Sequence, residues 1–431
     1  MSRIHVHPAG THFVRGHGGP PFFYLADTCW SAFTHPEMNE WEHYLNVRSR
    51  QGFTALQINI LPQHDASGPG NGGTAFGTRA DGGLEFTQIN RDYFEAAEAK
   101  VAKAVEYGFV PALVLLWSDF VPGTWLSNMK DDHIMPYSAI ADYVAYASER
   151  FRAYNPVYLV SGDTGDMDLR RDDSWGHYSC ALDTLKRVDP ESLATLHIWG
   201  PPTQQYDMPR HVLDDPRLDF FMYQSGHGET WRKNPTCLPA YLTTDTRRTP
   251  IVNGEPCYEG IGGGTVRHDA RSVRRAAWLS ILSGASAGLT YGAHGVWNWH
   301  RADARFSDWG SNAFGPPFVW NDALLFPGSW DYSFVRRIVE EYTLFSAEPV
   351  LDIQGPPFEI ACAQNENTVV VYTSNACRFR IPGCDDVISW RAVALDQNGR
   401  WFNPVVRHDN GHAQFEMPHT NADILYIGIR S

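Results

Sequence analysis

A chain of 431 residues exceeds the usual size of one domain, and a formal net charge of −14 with no run of Lys or Arg excludes a role that follows a phosphate backbone. Hydrophobic residues at 43% against 19% charged exclude a disordered chain, and no run of about 18 apolar residues marks a membrane span or a membrane partner. The opening Met1-Ser2-Arg3-Ile4-His5 lacks an apolar signal core, and the seven Cys are odd in number without zinc-type pairs, so a cytoplasmic protein with reduced thiols is expected.

In chain order, short β-branched, aromatic or aliphatic runs alternate with amphipathic ones. A strand over 22–26 leads to a helix over 40–50, a strand over 55–60 to a helix over 91–107, and a strand over 110–116 to a helix over 139–154. Strands over 157–160 and 194–198 flank a helix over 178–188. Strands follow over 220–222 and 251–252, then a helix over 273–282 and a last strand over 288–291. Eight parallel strands with intervening helices predict a (β/α)8 TIM barrel across residues 1–347. From 348 to 431 the texture becomes short alternating strands (368–372, 389–393, 423–427) between Asn, Gly and Pro turns. This predicts a small antiparallel β-sandwich that covers the outside of the barrel. The competing open doubly wound sheet would place a phosphate loop after its first strand, where Asp27-Thr28-Cys29-Trp30 stands instead. The glycine-rich Gly260-Ile261-Gly262-Gly263-Gly264 follows the seventh strand and lacks the downstream acid of a nucleotide site.

The active site of a parallel barrel lies at the C-terminal ends of its strands, so the polar and flat residues after each apolar run are the candidates. They are Asp27 and Trp30, Asn59 and His64, Trp117 and Asp119, Asp163, Trp199, then Tyr223, Gln224 and His227, Glu255 and Tyr258, and finally His294, Trp297 and Trp299. Aromatics at 13%, including 15 Trp, suit stacking on sugar faces, while the amides, imidazoles and Asp27 suit hydroxyl binding. Hydrolysis of a glycosidic bond needs one carboxyl to protonate the leaving oxygen and another to attack or activate water. Asp163 and Glu255, after strands four and seven, face one another across the mouth and meet that demand, with Asp166, Asp168 and Glu259 as rivals. A set of His64, Asp65 and His227 offers a metal-dependent alternative without tight ligand spacing. No cofactor is expected. A catalytically silent sugar-binding barrel is the other competing reading.

These segments resemble the apiosidase-like glycosidases of glycoside hydrolase family 140, on the clan A barrel. The resemblance rests on Pro21-Phe22-Phe23-Tyr24-Leu25-Ala26-Asp27-Thr28-Cys29-Trp30, Gln57-Ile58-Asn59, Gly162-Asp163, Gln224-Ser225-Gly226-His227, Asn253-Gly254-Glu255-Pro256-Cys257-Tyr258-Glu259 and Tyr291-Gly292-Ala293-His294-Gly295-Val296-Trp297. It implies a retaining double displacement with Asp163 as acid/base and Glu255 as nucleophile, acting on a carbohydrate. Gly162-Asp163 departs from the Asn-Glu that many clan A enzymes carry after strand four. The family plan also includes the small C-terminal β-sandwich.

Overall fold

The computed structural model describes residues 2–431 apart from Gln63, Asp65, Lys130, Asp132, 200–206, 244–246, 263–265 and 396–398. Asp65 of the alternative metal set and Gly263-Gly264 of the glycine-rich segment therefore lie outside the described residues. Eight parallel strands close into a barrel in chain order: Tyr24–Thr28, Ala55–Asn59, Val110–Trp117, Val157–Thr164, Ala194–Ile198, Phe221–Gln224, Ile251–Glu255 and Gly288–Tyr291. The first predicted strand divides at Phe23. Pro21–Phe22 joins Ile4–Val6 and Phe13–Arg15 in a three-stranded antiparallel sheet, and its Phe13 packs edge-on against Phe220 beneath the barrel.

Full helices stand outside strands one to four, seven and eight, among them Met38–Arg50, Arg91–Glu106, Tyr137–Phe151, Asp172–Val188, Ala270–Leu282 and Gly328–Glu341. After strands five and six the helices shrink to Arg210–Leu213 and Asn234–Cys237, in keeping with the lack of long amphipathic runs there. Among the described residues no helix is long and apolar enough to cross a membrane. All seven cysteines are free thiols.

Side chains alternate between the lumen and the helical layer along each strand. Gln57 points inward, accepting from Tyr24 and Thr290 hydroxyls and donating to the Gly254 carbonyl at 3.0 Å. Asp27 points outward, where its Oδ2 accepts from Arg48 Nε at 2.6 Å and from the Tyr44 hydroxyl at 2.7 Å, with both charged side chains fully buried. Arg48 also donates to Gln51 and to the Leu324 carbonyl, so one ion pair ties strand one, the first helix and the segment after strand eight.

The C-terminal unit is a two-layer antiparallel sandwich. A six-stranded sheet runs Glu348–Pro349, Ile360–Gln364, Thr368–Thr373, Ile424–Arg430, Val387–Ala394, Trp401–Phe402, and faces a three-stranded sheet of Phe379–Pro382, His412–Phe415 and Val406–Asp409. The run Val369-Val370-Val371-Tyr372 is apolar throughout because both of its faces are buried: Val369 and Val371 fill the sandwich core, while Val370 and Tyr372 join the barrel core. Arg274, on the helix after strand seven, clamps Asp423 with two bonds of 2.7 and 2.8 Å, and Tyr372 donates to the same carboxylate at 2.9 Å.

Removing one member of a buried ion pair leaves the other unpaired, which costs about 3–5 kcal/mol. Arg48→Met is therefore expected to lower unfolding stability by about that amount, and Asp27→Asn/Arg48→Met to recover part of it. Urea titration reads both variants; a single variant as stable as the parent refutes the role given to the pair.

Candidate active site

Strand four ends in an unusual turn. Asp163 adopts φ +55°, a left-handed conformation that Asp tolerates better than most residues. Beneath it Gly162 lies against the Trp117 indole, and a Cβ at 162 would overlap the ring, so the Asn found there in many clan A barrels is sterically excluded. Strand seven is packed as closely: a Cβ at Gly254 would overlap Met222 and crowd His197. These two glycines let strands four to seven carry their polar ends into one mouth.

The Asp163 carboxylate accepts from Gln224 Nε2 at 2.6 Å, and Gln224 pairs with Glu255 across the ladder between strands six and seven. His197, absent from the sequence-based candidates, links the two acids. Its Nδ1 accepts from Gln224 Nε2 at 3.1 Å and from the Asp163 backbone N–H at 3.4 Å. A backbone N–H only donates, so the His197 proton sits on Nε2, which faces Glu255 Oε2 at 3.6 Å. His227 repeats the logic. Its Nδ1 accepts from the Tyr258 backbone N–H at 3.1 Å, which puts the proton on Nε2, 2.9 Å from Glu255 Oε1. Burial pushes both imidazoles down to about 3, so both rings are neutral, His227 within hydrogen-bond distance of Glu255 and His197 facing it from just beyond that distance. The Tyr258 hydroxyl lies 3.0 Å from Thr28 Oγ1; burial, then the charge of Glu255, raises it well above the ordinary phenol range, keeping it a donor. Glu255 itself is 8% exposed.

Flat rings surround this carboxylate pair. Trp30 packs edge-on against Trp117 at 5.1 Å and His197 at 5.5 Å, forming the floor. His294 and Trp297 lie parallel at 5.8 Å, and Phe314 meets both of them and His227 edge-on. Asn59 closes strand two beside Trp30, whose carbonyl accepts its N–H at 3.3 Å, and His64 is half-buried further along that loop.

Three predicted binding residues are not brought to the mouth, two of them because of strand alternation. Asp27 faces the helical layer and is consumed by Arg48. Tyr223 also points outward and is fully buried. Trp299 is fully buried, stacked on Trp320 at 4.4 Å. The rival acids serve the scaffold. Glu259 accepts from the Tyr291 hydroxyl at 2.6 Å and from Gly328 N–H at 2.9 Å at the start of a helix, and burial pushes it up to about 7. Asp168 Oδ2 accepts from Gly165 N–H at 2.9 Å, Asp166 accepts from Asp207 N–H at 3.4 Å, and Asp119 turns to His133 at 3.5 Å. Both nitrogens of His227 have protein partners, the Tyr258 N–H and Glu255. Among the described residues no group of three or more His, Cys, Asp or Glu is arranged to hold a metal ion.

His197 was hidden because it lies inside strand five, two residues before Trp199; its signal was a lone imidazole at a lumen-facing position. Trp125 was missed because it lies in a long loop, yet its indole N–H donates to the Asp163 carbonyl at 2.8 Å.

The family model for the apiosidase-like catalytic domain matches residues 8–346. Among solved structures, the fold is shared with a protein described as a glycoside hydrolase at TM-score 0.77 and 18% identity, covering 100% of this chain and 97% of that one. A glycoside hydrolase family 5 protein from Bacteroides vulgatus gives TM-score 0.76 and 18% identity, covering 99% and 93%. A family 5 mannosidase from Rhizomucor miehei gives 0.53 and 12%, covering 79% and 99%. No curated protein sequence matches.

Burial sets a pH dependence. Unfolded imidazoles take up protons below about 6.5, whereas His197, His227 and His294 stay neutral in the fold until about 3. The unfolded state binds more protons across that window, so stability is lost as pH falls from about 6.5 towards 3. Glu259 works in the opposite sense, losing stability as pH rises from about 4.5 to about 7, and burial raises Asp168 and Asp331 as well, but His12 and His268, pushed down to about 4, join the three imidazoles. The urea midpoint is expected to drop between pH 7 and pH 4.5, with a shallower drop in His294→Gln. A midpoint that holds or rises on acidification contradicts the account.

Proposed function

The chain belongs to the apiosidase-like catalytic-domain family and is a glycosidase; we propose that it releases a terminal sugar of the furanoside type from oligosaccharides or small glycosides with retention, Glu255 acting as nucleophile and Asp163 as general acid/base. The observation that carries this reading is the treatment of Glu255, whose two carboxylate oxygens face neutral imidazole N–H groups. Neutral donors orient an anionic nucleophile without supplying a positive charge that would quench it. The second support is Asp163, linked to Glu255 through Gln224 and His197.

In the first step a Glu255 oxygen attacks the anomeric carbon while Asp163 gives its proton to the departing glycosidic oxygen, forming a glycosyl ester and freeing the alcohol. In the second, the Asp163 carboxylate takes a proton from water, which attacks the same carbon and releases Glu255 as carboxylate. Trp30 and Trp117 form an apolar floor for the sugar, and Tyr258, with His294 and Trp297, flanks the nucleophile.

Purified protein is to be tested on aryl furanosides and pyranosides, with the first-formed anomer read by NMR. Glu255→Gln is expected to lose activity on the order of a thousandfold or more on every substrate. Asp163→Asn should lose far less with a dinitrophenyl leaving group, which needs no protonation, than with an alkyl one. Chelator treatment should leave turnover unchanged. An inverted first product, or Glu255→Gln as active as wild type, overturns the mechanism.

A further inference from the structure

The stretch of site wall beside Asp163 carries an aromatic pair that the mechanism above does not use. Trp125 lies in the loop after strand three and Trp199 follows strand five, and their rings stack at 5.8 Å with an interplanar angle of 27°. Both are half-buried, unlike the enclosed Trp30, Trp117 and Trp297. Both are tied to the end of strand four. Trp125 Nε1–H donates to the Asp163 carbonyl at 2.8 Å, and the Trp199 backbone N–H donates to the Thr164 carbonyl at 2.9 Å.

The two poles of the site are chemically unequal. The nucleophile must lie against the anomeric carbon, whereas the proton donor must reach the glycosidic oxygen. Groups flanking the donor on the side away from the nucleophile therefore meet the departing half of the substrate. Around Glu255 stand His227, Tyr258 and the ring of His197; at the end of strand four, beside Asp163, stand Trp125 from the loop after strand three and Trp199 from the end of strand five. We propose that the Trp125–Trp199 pair is the leaving-group subsite, and that it takes an aglycone with a flat apolar face, the C–H face of a pyranose ring or an aryl group. The inference rests on the assignment of Asp163 as acid/base and Glu255 as nucleophile. An indole face gains from such contact, and a methyl aglycone is too small to make it.

The test compares kcat/KM for the 4-nitrophenyl and methyl glycosides of one sugar in wild type, Trp199→Ala and Trp199→Phe. In Trp199→Ala the aryl-to-methyl ratio is expected to fall about tenfold, the worth of one aromatic contact, and Trp199→Phe should restore most of it. Trp125→Phe, which keeps a ring but loses the bond to the Asp163 carbonyl, should lower turnover of both substrates and leave their ratio within about twofold, since the stacked face persists. A ratio unchanged in Trp199→Ala, or a loss not recovered by Trp199→Phe, overturns the subsite while leaving the glycosidase mechanism standing. Wild type inert towards every glycoside overturns the mechanism first, and the subsite with it.

Discussion

Two backbone N–H groups, those of Asp163 and Tyr258, decide how the mouth of the barrel is charged. Each donates to the Nδ1 of a buried imidazole, and each thereby forces the proton of that ring onto Nε2, towards Glu255. Had either ring presented a bare nitrogen to Glu255, lone pair would have faced carboxylate. Had either been protonated, Glu255 would have been locked in an ion pair. Main-chain donors cannot change role, so the tautomers are set by the path of the backbone rather than by solvent conditions.

That backbone path depends on close packing at the strand ends. Gly162 under Trp117 and Gly254 beside Met222 and His197 permit approaches that any side chain would block. Further out, charges brace the wall that bears the site. Asp27 with Arg48 fastens strand one to its helix, Glu259 receives the first N–H of the helix that begins at Gly328, and Arg274 joins the helix after strand seven to the sandwich through Asp423. The sandwich contributes an apolar sheet face to the barrel core, so its contact with the enzyme unit is structural at Val370, Tyr372, Leu425 and Ile427.

Periodicity and strand-end chemistry alone determined much of this protein: eight parallel strands in chain order, a C-terminal sandwich, and the acids Asp163 and Glu255 at the ends of strands four and seven. Those are readable because strand alternation, helical spacing and turn residues act over a few neighbouring positions. Gly162-Asp163 was legible as a departure, though its cause, an indole from strand three, was not. Only the tertiary structure decided which strand-end residues look inward. Asp27 and Tyr223 are polar residues at the right place in the chain, yet each is one position out of phase with the lumen. Trp299 was claimed by Trp320. His197, Trp125 and the direction of two imidazole protons depend on contacts between residues 28 to 38 positions apart, and no local pattern encodes them.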